Sequence, residues 1–89
     1  MKAKSGFILR TVVGEHILLP VGDAMDGFHG TVVMNDVAAL IWEKLQSEVT
    51  REELLQAILD EFEVEPSVAA RDLDGLLATF RAHDLIEED

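Results

Sequence analysis

The chain predicts an α+β fold, a three-stranded antiparallel sheet followed by three helices, and three observations carry that expectation. Gly6 to Val33 is rich in β-branched residues and broken by turn residues, the composition of short strands. From Asp36 onward the apolar residues recur at intervals of three and four, the period of helices that bury one face. Thr50 followed three residues later by Glu53 is a capping box, which fixes where one of those helices starts.

Phe7 to Val13 reads as the first strand, Gly14-Glu15 as the turn and His16 to Pro20 as the second strand, a tight hairpin of the kind favoured by glycine between two apolar runs. Val21 to Gly27 carries two glycines and two aspartates and makes a loop, and Gly30 to Met34 forms the third strand. Asn35 or Asp36 is placed to accept from the free amides of the helix that follows. In that helix Val37, Leu40, Ile41 and Leu45 form an apolar stripe that Ala38 and Trp42 widen, so it is expected to be largely buried. The second helix starts after Thr50 and buries the row Leu54, Leu55, Ile58, Leu59 and Phe62. Pro66 suits the first turn of a third helix, in which Ala69, Leu73, Leu76, Leu77 and Phe80 face inward; Leu85 and Ile86 complete the core, and Glu87 to Asp89 reads as a solvated tail. The second and third helices, linked by Glu63-Val64-Glu65, have the proportions of a helix-turn-helix, with the small sheet in place of a wing.

Eighty-nine residues form a single domain, 1–89, so small that nearly every apolar position must serve the core. Cysteine is absent, which removes disulfides, thiolate catalysis and Cys-ligated metal. No signal-peptide pattern opens the chain and no apolar run approaches the ~18 residues of a membrane span, so a cytoplasmic protein is expected. Eighteen acidic against seven basic side chains give a formal net charge of −11, which repels nucleic acid and anionic membranes and favours encounter with a basic peptide or basic patch.

Catalytic and metal-binding patterns are missing. His16, His29 and His83 show no helical i, i+4 pairing and no His/Glu motif. The serines and threonines have no base in a recognisable nucleophile motif, and Gly27-Phe28-His29-Gly30 lacks the Lys-Ser/Thr ending of a phosphate loop. The acidic groups Asp60-Glu61-Glu63-Glu65 and Asp72-Asp74 fall on helical segments and not in a calcium loop with a central glycine. Trp42 and Phe80 lie on inward stripes, where packing is the ordinary explanation. Gly75, inside the third helix, costs ~1 kcal/mol relative to alanine, and either the neighbouring sheet or a ligand strand would explain it by a close approach.

What remains is an edge. If Gly30 to Met34 borders the sheet, it offers unpaired backbone donors and acceptors to another extended chain. The third helix has a second stripe, Ala70, Asp74, Leu77 and Arg81, that is either a half-exposed flank or the opposing wall of a peptide groove.

The succession Gly6-Phe7-Ile8-Leu9-Arg10, Phe28-His29-Gly30-Thr31-Val32-Val33-Met34-Asn35, Ala38/Ala39 to Trp42, Thr50-Arg51-Glu52-Glu53-Leu54-Leu55 and Asp72 to Ile86 resembles the PqqD family over almost the whole chain. Its most distinctive part is the aromatic-x-Gly-x-apolar-x-apolar-Asn element before an Ala/Trp helix; Met34 stands where the family more often has leucine, a swap of similar volume. The resemblance implies a winged helix-turn-helix-like chaperone without catalytic activity or cofactor, which binds the leader of a ribosomally made precursor peptide while a radical S-adenosylmethionine enzyme modifies the core, as in pyrroloquinoline quinone synthesis or another pathway. By carry-over, Gly30, Thr31, Val32, Val33 and Met34 supply the strand edge, and Asp74, Leu77 and Arg81 the helix wall. Two rival readings stand beside it, a winged helix DNA-binding regulator and a structural subunit of a modifying enzyme. Charge opposes the first, because Arg71 and Arg81 are the only formal cations from Pro66 to His83 and are offset by Asp72 and Asp74.

Overall fold

A computed structural model describes residues 1–22 and 32–88 of the chain. The elements are β1 (Lys2–Ala3), β2 (Phe7–Val12), β3 (Glu15–Pro20), β4 (Val32–Met34), α1 (Asp36–Lys44), α2 (Arg51–Glu61), α3 (Pro66–Ala82) and β5 (Ile86–Glu87). They divide into two compact units, Ser5–Ala39 and Met1–Lys4 with Leu40–Asp89. The loop expected through Gly27, the strand start at Gly30 and Thr31, and His29 all fall wholly or largely outside the described residues.

In the first unit β2, β3 and β4 form the expected antiparallel sheet in that order. The turn differs from expectation: it is Val13-Gly14, with φ of 50° and 79°, and the strands it joins run to Val12 and from Glu15. Both central residues are left-handed, the geometry of the primed turn whose twist matches the strands. The resulting register sets Leu9 opposite Leu18 and Thr11 opposite His16, where Thr11 Oγ1 lies 2.8 Å from His16 Nδ1. The expected turn, Gly14-Glu15, would have slipped each of these pairs.

The sheet's two faces differ in exposure. Leu18 and Met34 are buried, and Phe7, Leu9, Pro20 and Val32 on the same face are half-buried. The alternate residues Ile8, Arg10, Val12 and Val33 are exposed on the other face, beside half-buried Ile17 and Leu19. After β4, Asn35 caps α1, its Oδ1 accepting from the Ala38 amide at 2.8 Å. Asp36 instead meets His16 Nε2 at 2.7 Å. With Asp36 accepting, Nε2 carries a proton, and in the neutral ring Nδ1 then accepts from the Thr11 hydroxyl.

In the second unit the core holds Ile41, Trp42, Leu45, Leu54, Ile58, Ala69, Leu73, Leu77, Phe80 and Leu85, all 2% exposed or less. Trp42 meets Phe80 edge to face, with ring centroids 5.7 Å apart and planes at 84°, as core residues of two inward stripes should. The α2 capping box is complete: Glu53 N donates to Thr50 Oγ1 at 3.2 Å, and Thr50 N to Glu53 Oε1 at 3.0 Å. Pro66 opens α3 as expected.

Two short strands were not expected. After α3 the chain reverses through Asp84, at φ 57°, and Ile86–Glu87 pairs antiparallel with Lys2–Ala3. The Ala3 amide donates to Leu45 O at 2.7 Å and the Lys4 amide to Leu85 O at 2.9 Å, so main-chain bonds fasten the amino terminus here. In the expected solvated tail, Glu87 and Glu88 are exposed, and Glu87 also pairs in β5 and Glu88 with Arg81. Two-residue strands carry no period for a sequence to display. Among the described residues no helix is long and apolar enough to cross a membrane.

Candidate peptide-binding site

The hairpin turn determines which backbone groups of β4 are open. Residues flanking a two-residue turn exchange both hydrogen bonds, and paired residues then alternate between bonded and non-bonded. Val12/Glu15, Arg10/Ile17 and Ile8/Leu19 are therefore the bonded pairs of β2 and β3. The alternation continues past the strand, where Val21 N donates to Gly6 O at 2.8 Å, and it leaves Pro20, which has no N–H, at a position that needs none. Ile17 thus directs its amide and carbonyl at β2. His16 and Leu18 direct theirs at β4, opposite Met34 and Val32. Val33, opposite Ile17, is left with its N–H and C=O pointing away from β3, and β4 is the border strand of the sheet.

Among the described residues the five-residue edge expected from the sequence narrows to Val33. Val32 and Met34 turn their amides to β3, and Gly30 and Thr31 lie outside the described residues. On the other side Asn35 gives its carbonyl to the Ala39 amide at 3.0 Å, which begins α1. Val33 is 64% exposed, Val32 is half-buried and Met34 is 4% exposed.

On α3, Asp74 is exposed and held by Arg51 through two bonds of 2.7 and 3.0 Å. The Arg51 hydrogen bond holds the Asp74 carboxyl below its ordinary value, and Asp74 raises the guanidinium in turn. Arg81 grips Glu88 Oε1 from Nε and Nη2 at 2.9 and 2.7 Å, which lowers the Glu88 carboxyl and raises Arg81. The two charges of the expected helix wall thus already have partners in the chain. Arg51 lies in another helix and Glu88 beyond the Asp84 reversal, so neither pairing leaves a helical spacing in the sequence. Leu77, 1% exposed, is a packing residue of the second unit. At exposed Gly75 a Cβ would meet no described atom within 4 Å, so the described part of the chain makes no close approach there.

Residues 15–86, from β3 to β5, match the family described as coenzyme PQQ synthesis protein D. The chain belongs to the PqqD family. The family match spans β4 and α3 and so includes both segments expected to bind. Two solved structures share the fold of this PqqD chain. TbiB1, in complex with the TbiA(beta) leader peptide, superposes with a TM-score of 0.76 at 24% identity, covering 100% of this chain and 98% of its own. Lasso peptide synthetase B1, complexed with the leader peptide, gives 0.72 at 21% identity, covering 98% and 96%. No curated protein matches in sequence.

The other polar groups noted in the sequence are accounted for only among the described residues. A surface hollow of about 400 Å³ on α2 has Val49, Leu54 and Ala57 in its floor and Lys44, Glu53, Asp60 and Glu61 at its rim, with no nucleophile beside a base. His83 donates from Nδ1 to Thr79 O at 2.9 Å. No group of three potential metal ligands occurs among the described residues.

Proposed function

We propose that this PqqD-family chain is a binding module that takes the leader of a ribosomally made precursor peptide as an added strand beside β4 and presents it to a peptide-modifying enzyme of the radical S-adenosylmethionine class. The observation that carries this reading is the outward N–H and C=O of Val33 on the border strand. Main-chain pairing there supplies affinity without requiring a particular leader sequence, which suits a helper whose partner enzyme performs the chemistry. The reading is supported by family membership and by two proteins of the same fold described as leader-peptide complexes.

In this proposal Gly30 and Thr31 continue the edge from Val33, and Val32 and Met34 anchor it to β3. On α3, Asp74 and Arg81 offer fixed charge to the leader, and Leu77 supports them from the core. The net charge of −11 favours a leader with basic residues, and a chain without cysteine suits a cytoplasmic encounter. A DNA-binding role fits poorly, since the net charge is −11 and the two cations of α3, Arg71 and Arg81, are offset by Asp72 and Asp74.

Titration of a fluorescently labelled precursor leader tests the function. Saturable binding, alone or with the modifying enzyme, is expected; no saturable binding in either arrangement would contradict it.

A further inference from the structure

The backbone polarity of β4 also selects which leader side chain reads the sheet. Val33 directs its backbone at the open side, so an added strand in either direction is placed in register around Val33. Residues in register on neighbouring strands project from the same face, and their immediate neighbours project from the opposite one. The side chain of Val33 is on the exposed face, 64% accessible, in a row across the sheet with Ile17 and Arg10.

That face is apolar to an unusual degree for a sheet open to water. Antiparallel sheets with one wet face show mostly polar residues there, yet here Ile8, Val12, Ile17, Leu19 and Val33 share it with Arg10 and Glu15. Among the described residues, four of the five exposed large hydrophobic residues, Ile8, Val12, Val21 and Val33, have this strand parity, and the fifth, Val13, is at the hairpin tip. An apolar side chain arriving beside Val33 would extend the Val33–Ile17 row and cover part of it.

We infer that the leader residue in register with Val33 is a specificity position, filled by a β-branched or aromatic apolar side chain that packs on the exposed face of the sheet beside Val33. The inference rests on the strand-addition reading and deepens it, because it assigns side-chain selection to a residue whose backbone supplies the docking bond. The two flanking leader residues project toward the face of Val32 and Met34 and are read separately.

Selection from a displayed library of short random peptides, performed on the wild type, Val33→Lys and Val33→Asp, tests it, with circular dichroism confirming that each variant is folded. On the wild type the selected peptides should share a β-branched or aromatic residue at one position. Val33→Lys should shift that position alone toward acidic residues and Val33→Asp toward basic ones, each with about a fivefold change in relative affinity, the scale of a direct cross-strand pair. A wild-type motif that neither substitution alters, or one that shifts equally at adjacent positions, overturns the register assignment and leaves strand addition standing. Selected peptides that share no motif on the wild type overturn this inference and leave strand addition standing, whereas a lack of any selected binder counts against strand addition and removes this inference with it.

Discussion

Val33 and Ile17 face each other across β3 and β4 with their backbone groups turned apart, Ile17 toward β2 and Val33 toward the open border. The candidate site depends on that relationship, and the turn at Val13-Gly14 sets it through the alternation of the ladder.

Proline at Val33 removes only an outward N–H, an arrangement a border strand tolerates, whereas proline at Val32 removes a bond to Leu18. Val33→Pro is expected to keep its circular dichroism and weaken leader binding by about tenfold, the worth of roughly one hydrogen bond. Val32→Pro is expected to lower stability by about 1–3 kcal/mol in urea unfolding. Equal stability of the two variants would contradict the assigned backbone directions.

Val13 occupies a left-handed position at φ 50° while 97% exposed, where a β-branched side chain is strained and makes no compensating packing. Val13→Asn creates the Asn-Gly pair that primed turns favour and should raise stability by about 1 kcal/mol, a rise in Tm of roughly 4–8 °C. Calorimetry reads the change; a lower Tm would refute the turn type.

Gly75 is an exposed helix-interior glycine with open space at its Cβ position. Gly75→Ala should stabilise α3 by about 1 kcal/mol. If the leader backbone approaches there, the same variant binds leader more weakly despite its greater stability; unchanged leader affinity would leave the glycine without a binding role.

The Arg51–Asp74 pair adds a pH dependence of known sign. The folded-state carboxyl titrates below its ordinary value of 3.8, so the pair's contribution is present above that value and is lost as pH falls through the lower folded value. Asp74→Asn should leave an acid limb less steep than that of the wild type, with only a small loss at neutral pH because the pair is exposed. Urea midpoints measured across the acid range check both parts.

Much of the helical half was legible because its signals are local. Thr50, Glu53 and Pro66 mark helix starts by their own chemistry, and the rows through Ile41, Ile58, Leu73 and Phe80 mark buried faces by period. The hairpin was less legible. Moving the turn from Gly14-Glu15 to Val13-Gly14 slips β2 past β3 by two residues, which keeps every side chain on its face and so leaves no trace in the apolar pattern. The same move reverses which β3 residues bond to β2. With the turn at Gly14-Glu15 and the same β4 register, Val32 and Met34 would have faced outward and Val33 inward. The edge could be located from sequence, but its open residue could not. The partners of Asp74 and Arg81 were hidden for another reason: Arg51 and Glu88 are brought to them by chain reversals and not by a helical spacing.

The most direct measurement is amide hydrogen exchange at Val33 with and without a saturating leader peptide. Strand addition expects the Val33 amide to slow by about tenfold or more on binding, while those of Val32 and Met34, already directed at β3, change less. Saturable leader binding that leaves exchange at Val33 unchanged would contradict it.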